Sequence, residues 1–435
     1  MLAPSRIGRA SRGSRSLVAR LNVCSVLFAT IGAVAPAFAQ SDPAIPTANA
    51  AVRAALDRIP AINAWILDRQ VALCEIPAPP FKEAARARSY QRALIDIGYP
   101  NTRIDSIGDV IAELRGGDGP TIMIAGHLDT VFPEGTSVAV DRSGTRLDGP
   151  GIGDDCRGLA VVLAVARVIK ERNVVPRGRI VFVGDVGEEG AGNSRGVHWL
   201  LEREFKGEVA AFISVDGPGN TMTTRAVGSH RYTVTVSGPG GHSYADFGMP
   251  NPAHALGRAI ARISDLQVPE IPRTTFSVGG LRGGTSVNSI PMQAQMDIDM
   301  RSESADALAD LDTRVHAAVD SAIADEQRRW PNSNVRLNVK YDTIGIRPTG
   351  SQSESAPIVR AAIAAARTLG FTPRTVASST DSNVPISMGI PAITIDGGGR
   401  GDGEHSTSEW YEDGAEGWKG PQWALLIVAA MVGVR

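Results

Sequence analysis

The sequence predicts an α/β fold, in which a mostly parallel sheet with helices on both faces is interrupted by a second, smaller domain. Three observations carry that reading. Near-continuous apolar runs, VIAEL (110–114), TIMIAG (121–126), RIVFVG (179–184) and AAFISV (210–215), are interspersed with helical stretches at 158–171 and 194–205. Strands that are apolar on both faces belong to a parallel sheet covered twice. Near residue 225 the character changes, and RYTVTVSG (231–238) alternates like a half-exposed strand. Beyond 343 the first pattern resumes, which makes the intervening segment an insertion.

Taken in order, residues 1–39 come first: five arginines and no acid precede an apolar run at 21–35 that ends in Ala37-Phe38-Ala39. This is the pattern of a signal peptide cleaved after Ala39, and it predicts an exported protein, periplasmic or secreted. The apolar run is too short for a stable membrane span, and nothing later in the chain reaches that length. Five of the 44 basic residues lie in this segment, so the rest of the chain is acidic by about seven charges, which argues against nucleic acid as a partner. Only Cys74 and Cys156 follow, too few for a disulfide framework. With 435 residues, 43% of them hydrophobic, the chain can bury a large core, and stability must come from it.

Residues 43–98 have helical spacing broken by an IPAPP turn at 76–80, a lead-in to the four strands above. The insertion reads as strand 231–238, helix 252–263, strands 273–281 and 293–301, helix 305–328 and strand 335–341, the split β-α-β arrangement. A helix at 354–369, the strand PAITID (391–396) and a helix after Trp418 complete the first domain. The expected limits are therefore 40–224 and 343–435 for the larger domain, with the insertion at 225–342. There is no internal repeat, and the only biased tract is GGGRGDG at 397–403.

The chemistry-bearing residues follow the strands. TIMIAG runs into His127-Leu128-Asp129, RIVFVG leads to Glu188-Glu189, AAFISV ends at Asp216, and PAITID leads through the Gly-rich tract to His405. In an open α/β sheet, ligands bind beyond the carboxyl ends of the strands, so these groups can converge. Asp154-Asp155, ahead of a helix, adds a further candidate. Two imidazoles and several carboxylates suit zinc, or less selectively cobalt or manganese. His127 and Asp129 share a face at a strand end, where Asp129 can accept the second imidazole N–H. Adjacent Glu188 and Glu189 point differently, so one can bind metal while the other takes a proton from water. Each piece alone has a plainer reading: a hydrogen bond for His127 and Asp129, a solvated face for the glutamates, a helix N-cap for the aspartates. Their recurrence at strand ends, in a chain with only seven histidines, favours a site. Arg301 shares a strand face with Asp297 and Asp299, where it either grips a substrate carboxylate or makes a structural ion pair. His198, His230, His254 and His316 are given structural or surface roles. A serine hydrolase would need a G-x-S-x-G turn between strand and helix, and none is read there; HExxH is absent.

GHLDTV (126–131), GPGIGDD (149–155), GEEGAG (187–192), SVDGP (214–218) and GEHSTSEW (403–410) resemble, in order and spacing, the signature motifs of the M20 family of zinc peptidases. That resemblance implies a catalytic domain interrupted by a ferredoxin-like lid and dimerisation domain, and hence a homodimer. It implies two zinc ions, with His127, Glu189, Asp216 and His405 as terminal ligands, Asp154 bridging, and Glu188 as general base in two-metal hydrolysis. A cis peptide between Asp154 and Asp155 is also implied. His242, in GPGGHS, resembles a histidine that stabilises the oxyanion across the dimer interface, and Asn288, in SVNSIP, resembles a substrate-binding asparagine. The substrate implied is a small peptide or N-acyl amino acid. RAVGSHRYTVTVSGPGGHS and GGGRGDGEHSTSEW look closer to tripeptide aminopeptidases, so the leading expectation is an aminopeptidase-like exopeptidase; Arg301 suits the alternative, a carboxypeptidase or N-acyl-amino-acid deacylase. A non-catalytic periplasmic binding protein would not need Glu188. The chain departs from the family pattern at Cys156, often lysine, and at Arg157, where glycine is common. Cys74 and Cys156 either pair as a disulfide or are ordinary buried thiols.

Overall fold

The computed structural model describes residues 44–435. The signal-peptide reading of 1–39 lies outside the described residues.

Three helices lead in, Ala50–Ala61, Asn63–Cys74 and Ala84–Ile97. Asn49 caps the first by accepting from the N–H groups of Ala51 and Val52, and Gly98, at φ 114°, closes the third in the left-handed conformation that glycine adopts without strain. The IPAPP segment falls between the second and third, as its prolines require. Buried Arg86 bonds the carbonyls of Cys74, Ile76 and Leu128, which pins that segment beside the end of the Thr121–His127 strand.

The central sheet has nine strands. Its inner four, Arg179–Asp185, Thr121–His127, Val209–Val215 and Ala392–Ile395, are mutually parallel in that spatial order. On one side they are continued by Val110–Arg115 and Arg103–Ile104, both antiparallel. On the other, Thr221–Ala226 runs antiparallel to the Ala392 strand, and Arg374–Ser378 and Gly350–Ser351 join it. The sheet is thus parallel at its core and mixed toward its edges. The short edge strands escaped sequence reading because TMTTRA (221–226) and RTVAS (374–378) lack the apolar runs that mark the inner four. Alternate side chains of the inner strands enter two different cores. Ile122, Ile124, Ile180 and Phe182 pack on the layer of long helices, and Met123, Ala125, Val181 and Val183 pack on the other face with Val197, Leu200 and Val384. Helix Cys156–Glu171 lies almost wholly within the first of these cores, and so is apolar nearly all round.

Residues 228–347 build a separate four-stranded sheet, in the order Thr274–Gly283, Gln293–Ser302, Gly228–Ser237, Asn338–Arg347, with every pair antiparallel. Helices Pro252–Ser264 and Ala305–Arg329 cover one face, where Val234, Met296 and Ile298 meet Leu256, Leu311 and Val315 in a core of their own. The opposite face carries Arg231, Asp297, Asp299 and Arg301, as the strict alternation of the Gln293 strand requires.

Candidate metal centre

Because the inner strands are parallel, their carboxyl ends share one edge, and the metal-ligand candidates assemble there. His127 ends its strand, and its Nε2 lies 2.9 Å from Asp154 Oδ1 and 4.0 Å from Asp216 Oδ1. His405 Nε2 lies 3.1 Å from the other oxygen of Asp154 and 3.0 Å from Glu189 Oε1. Ligand atoms of His127, Asp154 and Glu189 fall within 4.8 Å of one another. His405 has φ 63°, an uncommon conformation for a side chain with a Cβ, of the kind concentrated at functional sites. Two imidazole nitrogens and three carboxylates facing one another are the donor chemistry of zinc and related cations, so the residues fit the metal ions that the motifs imply.

The loops beneath are arranged to present Asp154. The Asp154–Asp155 peptide is cis. Asp155 is the N-cap of helix Cys156–Glu171, accepting from Gly158 N at 2.8 Å with one oxygen and from His127 N at 3.0 Å with the other. The N-cap reading therefore applies to Asp155, while Asp154 faces the imidazoles. A Cβ on Gly158 would come within 2.1 Å of the Val215 carbonyl, so only glycine lets the helix start this close to the strand ends.

Asp129 makes contacts beyond the expected one to His127. His127 Nδ1 is 3.1 Å from the Asp129 carbonyl and 3.6 Å from its carboxylate. That carboxylate accepts the backbone N–H groups of Glu188 and Glu189, at 3.0 and 2.9 Å. Asp129 thus orients the two glutamates as well as the histidine ring. Glu188 is gripped by Arg347, whose guanidinium lies 2.6 Å from Oε1 and also bonds the Glu188 carbonyl.

The electrostatics are those of crowded, buried carboxylates. Burial opposes ionisation of Asp154, but its bonds to His127 and His405 outweigh it and hold the carboxyl well below its usual range. Glu189 is pushed up to about 7 by burial, against the pull of His405. Burial would lower His127, yet bonds to Asp129 and Asp154 raise it, and those to Asp154 and Glu189 raise His405 to about 11.

These groups open into a cavity of about 460 Å³ that is lined by Asp154, Glu188, Glu189, Asp216 and His405 together with Arg231, Arg301 and Arg347. All three arginines come from the four-stranded sheet. Arg301 and Arg231 share Asp299, at 2.7 and 2.9 Å, so Arg301 both makes the ion pair and faces the cavity. Sequence reading missed Arg347, Arg231 and Glu409. Arg347 ends a strand expected to stop at 341, and Glu409 lies inside GEHSTSEW but is overshadowed there by His405. His242 and Asn288 do not line this cavity. They sit at a short antiparallel ribbon where His242 pairs with Ser289 and Ser243 N donates to the Asn288 carbonyl. A larger cavity of about 640 Å³, bordered by Arg400, Lys419 and Trp423, contains none of the candidate ligands.

The G-x-S-x-G spacing does occur, as GNSRG at 192–196, but Ser194 is buried and its hydroxyl has no hydrogen-bond partner, so nothing activates it as a nucleophile. Cys74 and Cys156 are free, buried thiols, with Cys74 Sγ 3.4 Å from the Pro150 carbonyl.

Residues 123–418 match the model of peptidase family M20/M25/M40, and the chain belongs to that family. It is 31% identical over 238 residues to succinyl-diaminopimelate desuccinylase of Burkholderia multivorans, a match covering 51% of this chain and 62% of that one. It is 26% identical to carboxypeptidase G2 of Pseudomonas sp. over 76% of this chain and 80% of the relative. A dinuclear metal-binding M20 peptidase of Bacillus subtilis superposes with a TM-score of 0.61 at 19% identity, covering 86% of this chain and 99% of that structure.

Proposed function

We propose that the protein is a two-metal amidohydrolase that cleaves an amide bond next to a free carboxylate in a small peptide or N-acyl amino acid. The observation that carries this reading is the cavity: a cluster of metal-ligand type shares a space of small-molecule size with the guanidinium groups of Arg231 and Arg301, while Arg347 is engaged by Glu188. Asp299 is shared by Arg231 and Arg301, so that side of the cavity keeps a net positive charge suited to a carboxylate. Relatives that remove a succinyl group or act as a carboxypeptidase support the same choice over an aminopeptidase.

His127, Asp154, Glu189, Asp216 and His405 would hold the metal ions, zinc in the first instance, with Asp154 between the two imidazoles. When bound, such ions polarise the scissile carbonyl and make water a nucleophile at neutral pH. Glu188 takes the proton of the attacking water and returns it to the leaving amine. Arg347 holds Glu188 Oε1 and fixes the direction in which that carboxylate points. Asp129 fixes the backbone from which Glu188 and Glu189 project.

In this reading residues 225–342 form the ferredoxin-like lid and dimerisation domain set into a catalytic domain of 40–224 and 343–435. His242 and Asn288, remote from their own cavity, would act on a partner subunit's substrate. The protein is exported and loses residues 1–39.

The test is a panel of dipeptides, N-acyl amino acids and their carboxamides, assayed with the zinc-loaded protein. Hydrolysis that tolerates N-acetylation and is lost on carboxamidation is expected. A requirement for a free amine, with the carboxamide cleaved equally well, would instead identify an aminopeptidase. Removing metal with a chelator should abolish turnover, and zinc, cobalt or manganese should restore it.

A further inference from the structure

Glu409 does not face the cavity, yet it holds the loop that delivers Asp154. It is 1% exposed, four residues beyond His405, at the entrance to strand Trp410–Glu412. Its Oε2 accepts the N–H of Gly151 at 2.6 Å, and its Oε1 accepts those of Gly153 at 2.7 Å and Asp154 at 2.9 Å. The contact is returned by Gly149 N, which donates to the Glu409 carbonyl at 2.9 Å. Two loops separated by about 250 residues are therefore joined at two places, by Glu409 to the backbone on one side and by His405 to the Asp154 carboxylate on the other. Gly151, at φ 79°, lets its own N–H and those of Gly153 and Asp154 turn toward one carboxylate, in the manner of an anion-binding nest, while the Ile152 N–H donates to the Gly149 carbonyl. Here the anion is the protein's own side chain.

We propose that Glu409 is a positioning residue for the metal centre, clamping the Asp154 loop to the His405 loop so that each Asp154 oxygen stays aimed at its imidazole. This rests on the metallohydrolase reading above. Three backbone donors converging on one buried carboxyl group make directional bonds, and their loss would leave three buried N–H groups unpaired. Asp154 would then keep its carboxylate but lose its fixed direction. Groups that orient metal ligands in this way typically alter metal affinity about 10- to 100-fold when removed.

The experiment compares wild type, Glu409→Gln and Gly153→Ala for zinc stoichiometry and affinity against a competing chelator, for melting temperature without metal, and for kcat and KM. Glutamine keeps the size but offers an NH2 group to the Gly151 N–H. The alanine methyl would come 3.1 Å from Glu409 Oε1 and disturb the clamp from the other loop. Both variants are expected to fold, to bind zinc at least about tenfold more weakly at one of the two sites, and to lose kcat with little change in KM. Wild-type zinc affinity in a folded Glu409→Gln protein would overturn the proposal, as would a fall in metal-free melting temperature with affinity unchanged. If wild type itself binds no zinc, the metal-centre reading fails, a result separable from the failure of the clamp alone.

Discussion

Asp154 carries an imidazole on each oxygen, and the chemistry at the scale of single residues follows from how its neighbours are charged. Glu188 is the group whose removal should leave this arrangement intact while ending catalysis. Glu188→Gln is expected to keep the wild-type metal content and lower kcat by about 10²–10⁴, the range for a general base, as read by metal analysis beside a rate assay. Behind the centre, Asp381 is buried against Asp185, which is buried as well. Burial first, then the charge of Glu188, raises it from the ordinary 3.8 to about 7. It therefore binds its proton more tightly in the folded than in the unfolded chain. Its contribution to stability is complete below the unfolded value and is lost as pH rises from about 4 to about 7. Denaturation of the metal-free protein should show stability falling across that window, and Asp381→Asn should flatten the fall. An unchanged slope in Asp381→Asn would assign the effect to other groups.

Among the elements, helix Cys156–Glu171 couples the centre to the rest of the fold. Arg157, where the family pattern has a small residue, is fully buried in its first turn. Its guanidinium bonds the carbonyls of Gly397 and Gly417 at 2.8 Å each, lies 3.7 Å from Asp413 and stacks over Tyr411. The departure thus has a structural account: the arginine ties the helix start to the Gly-rich loop that leads to His405. Arg157→Ala would leave Asp413 and two carbonyls buried without that partner. It should cost about 3–5 kcal/mol of stability, measurable by chemical denaturation. Cys156 beside it is an interior thiol, and its replacement by alanine should be much milder.

On the scale of the whole molecule, two hydrophobic cores place opposite chemistries face to face, the acidic strand ends of one sheet against the arginine-bearing face of the other. Within one chain His242 is outside the cavity that results. If it acts across a twofold dimer, His242→Ala and Glu188→Ala proteins, each inactive, should complement one another when subunits are mixed. Recovery of about a quarter of wild-type activity is expected, since half the dimers are mixed and each of those has one complete site. Absence of recovery despite verified subunit exchange would remove the trans role.

The inner strands, the helices between them and the strand-end positions of His127, Glu188, Glu189, Asp216 and His405 were legible in the chain before any tertiary contact was known. Those features follow local rules: apolar runs mark buried strands, and a parallel sheet gathers their carboxyl ends on one edge. The spacing of 231–341 showed the smaller sheet in the same way, through two-residue alternation. Only tertiary structure decided which charges meet. Arg347 reaches Glu188 across 159 residues, Glu409 reaches the Asp154 backbone across 255, and the Asp129 carboxylate turns to the glutamate amides rather than squarely to its neighbouring imidazole. The physical reason is that a long-range contact depends on the mutual placement of whole elements by packing, and no periodicity within either segment records the partner.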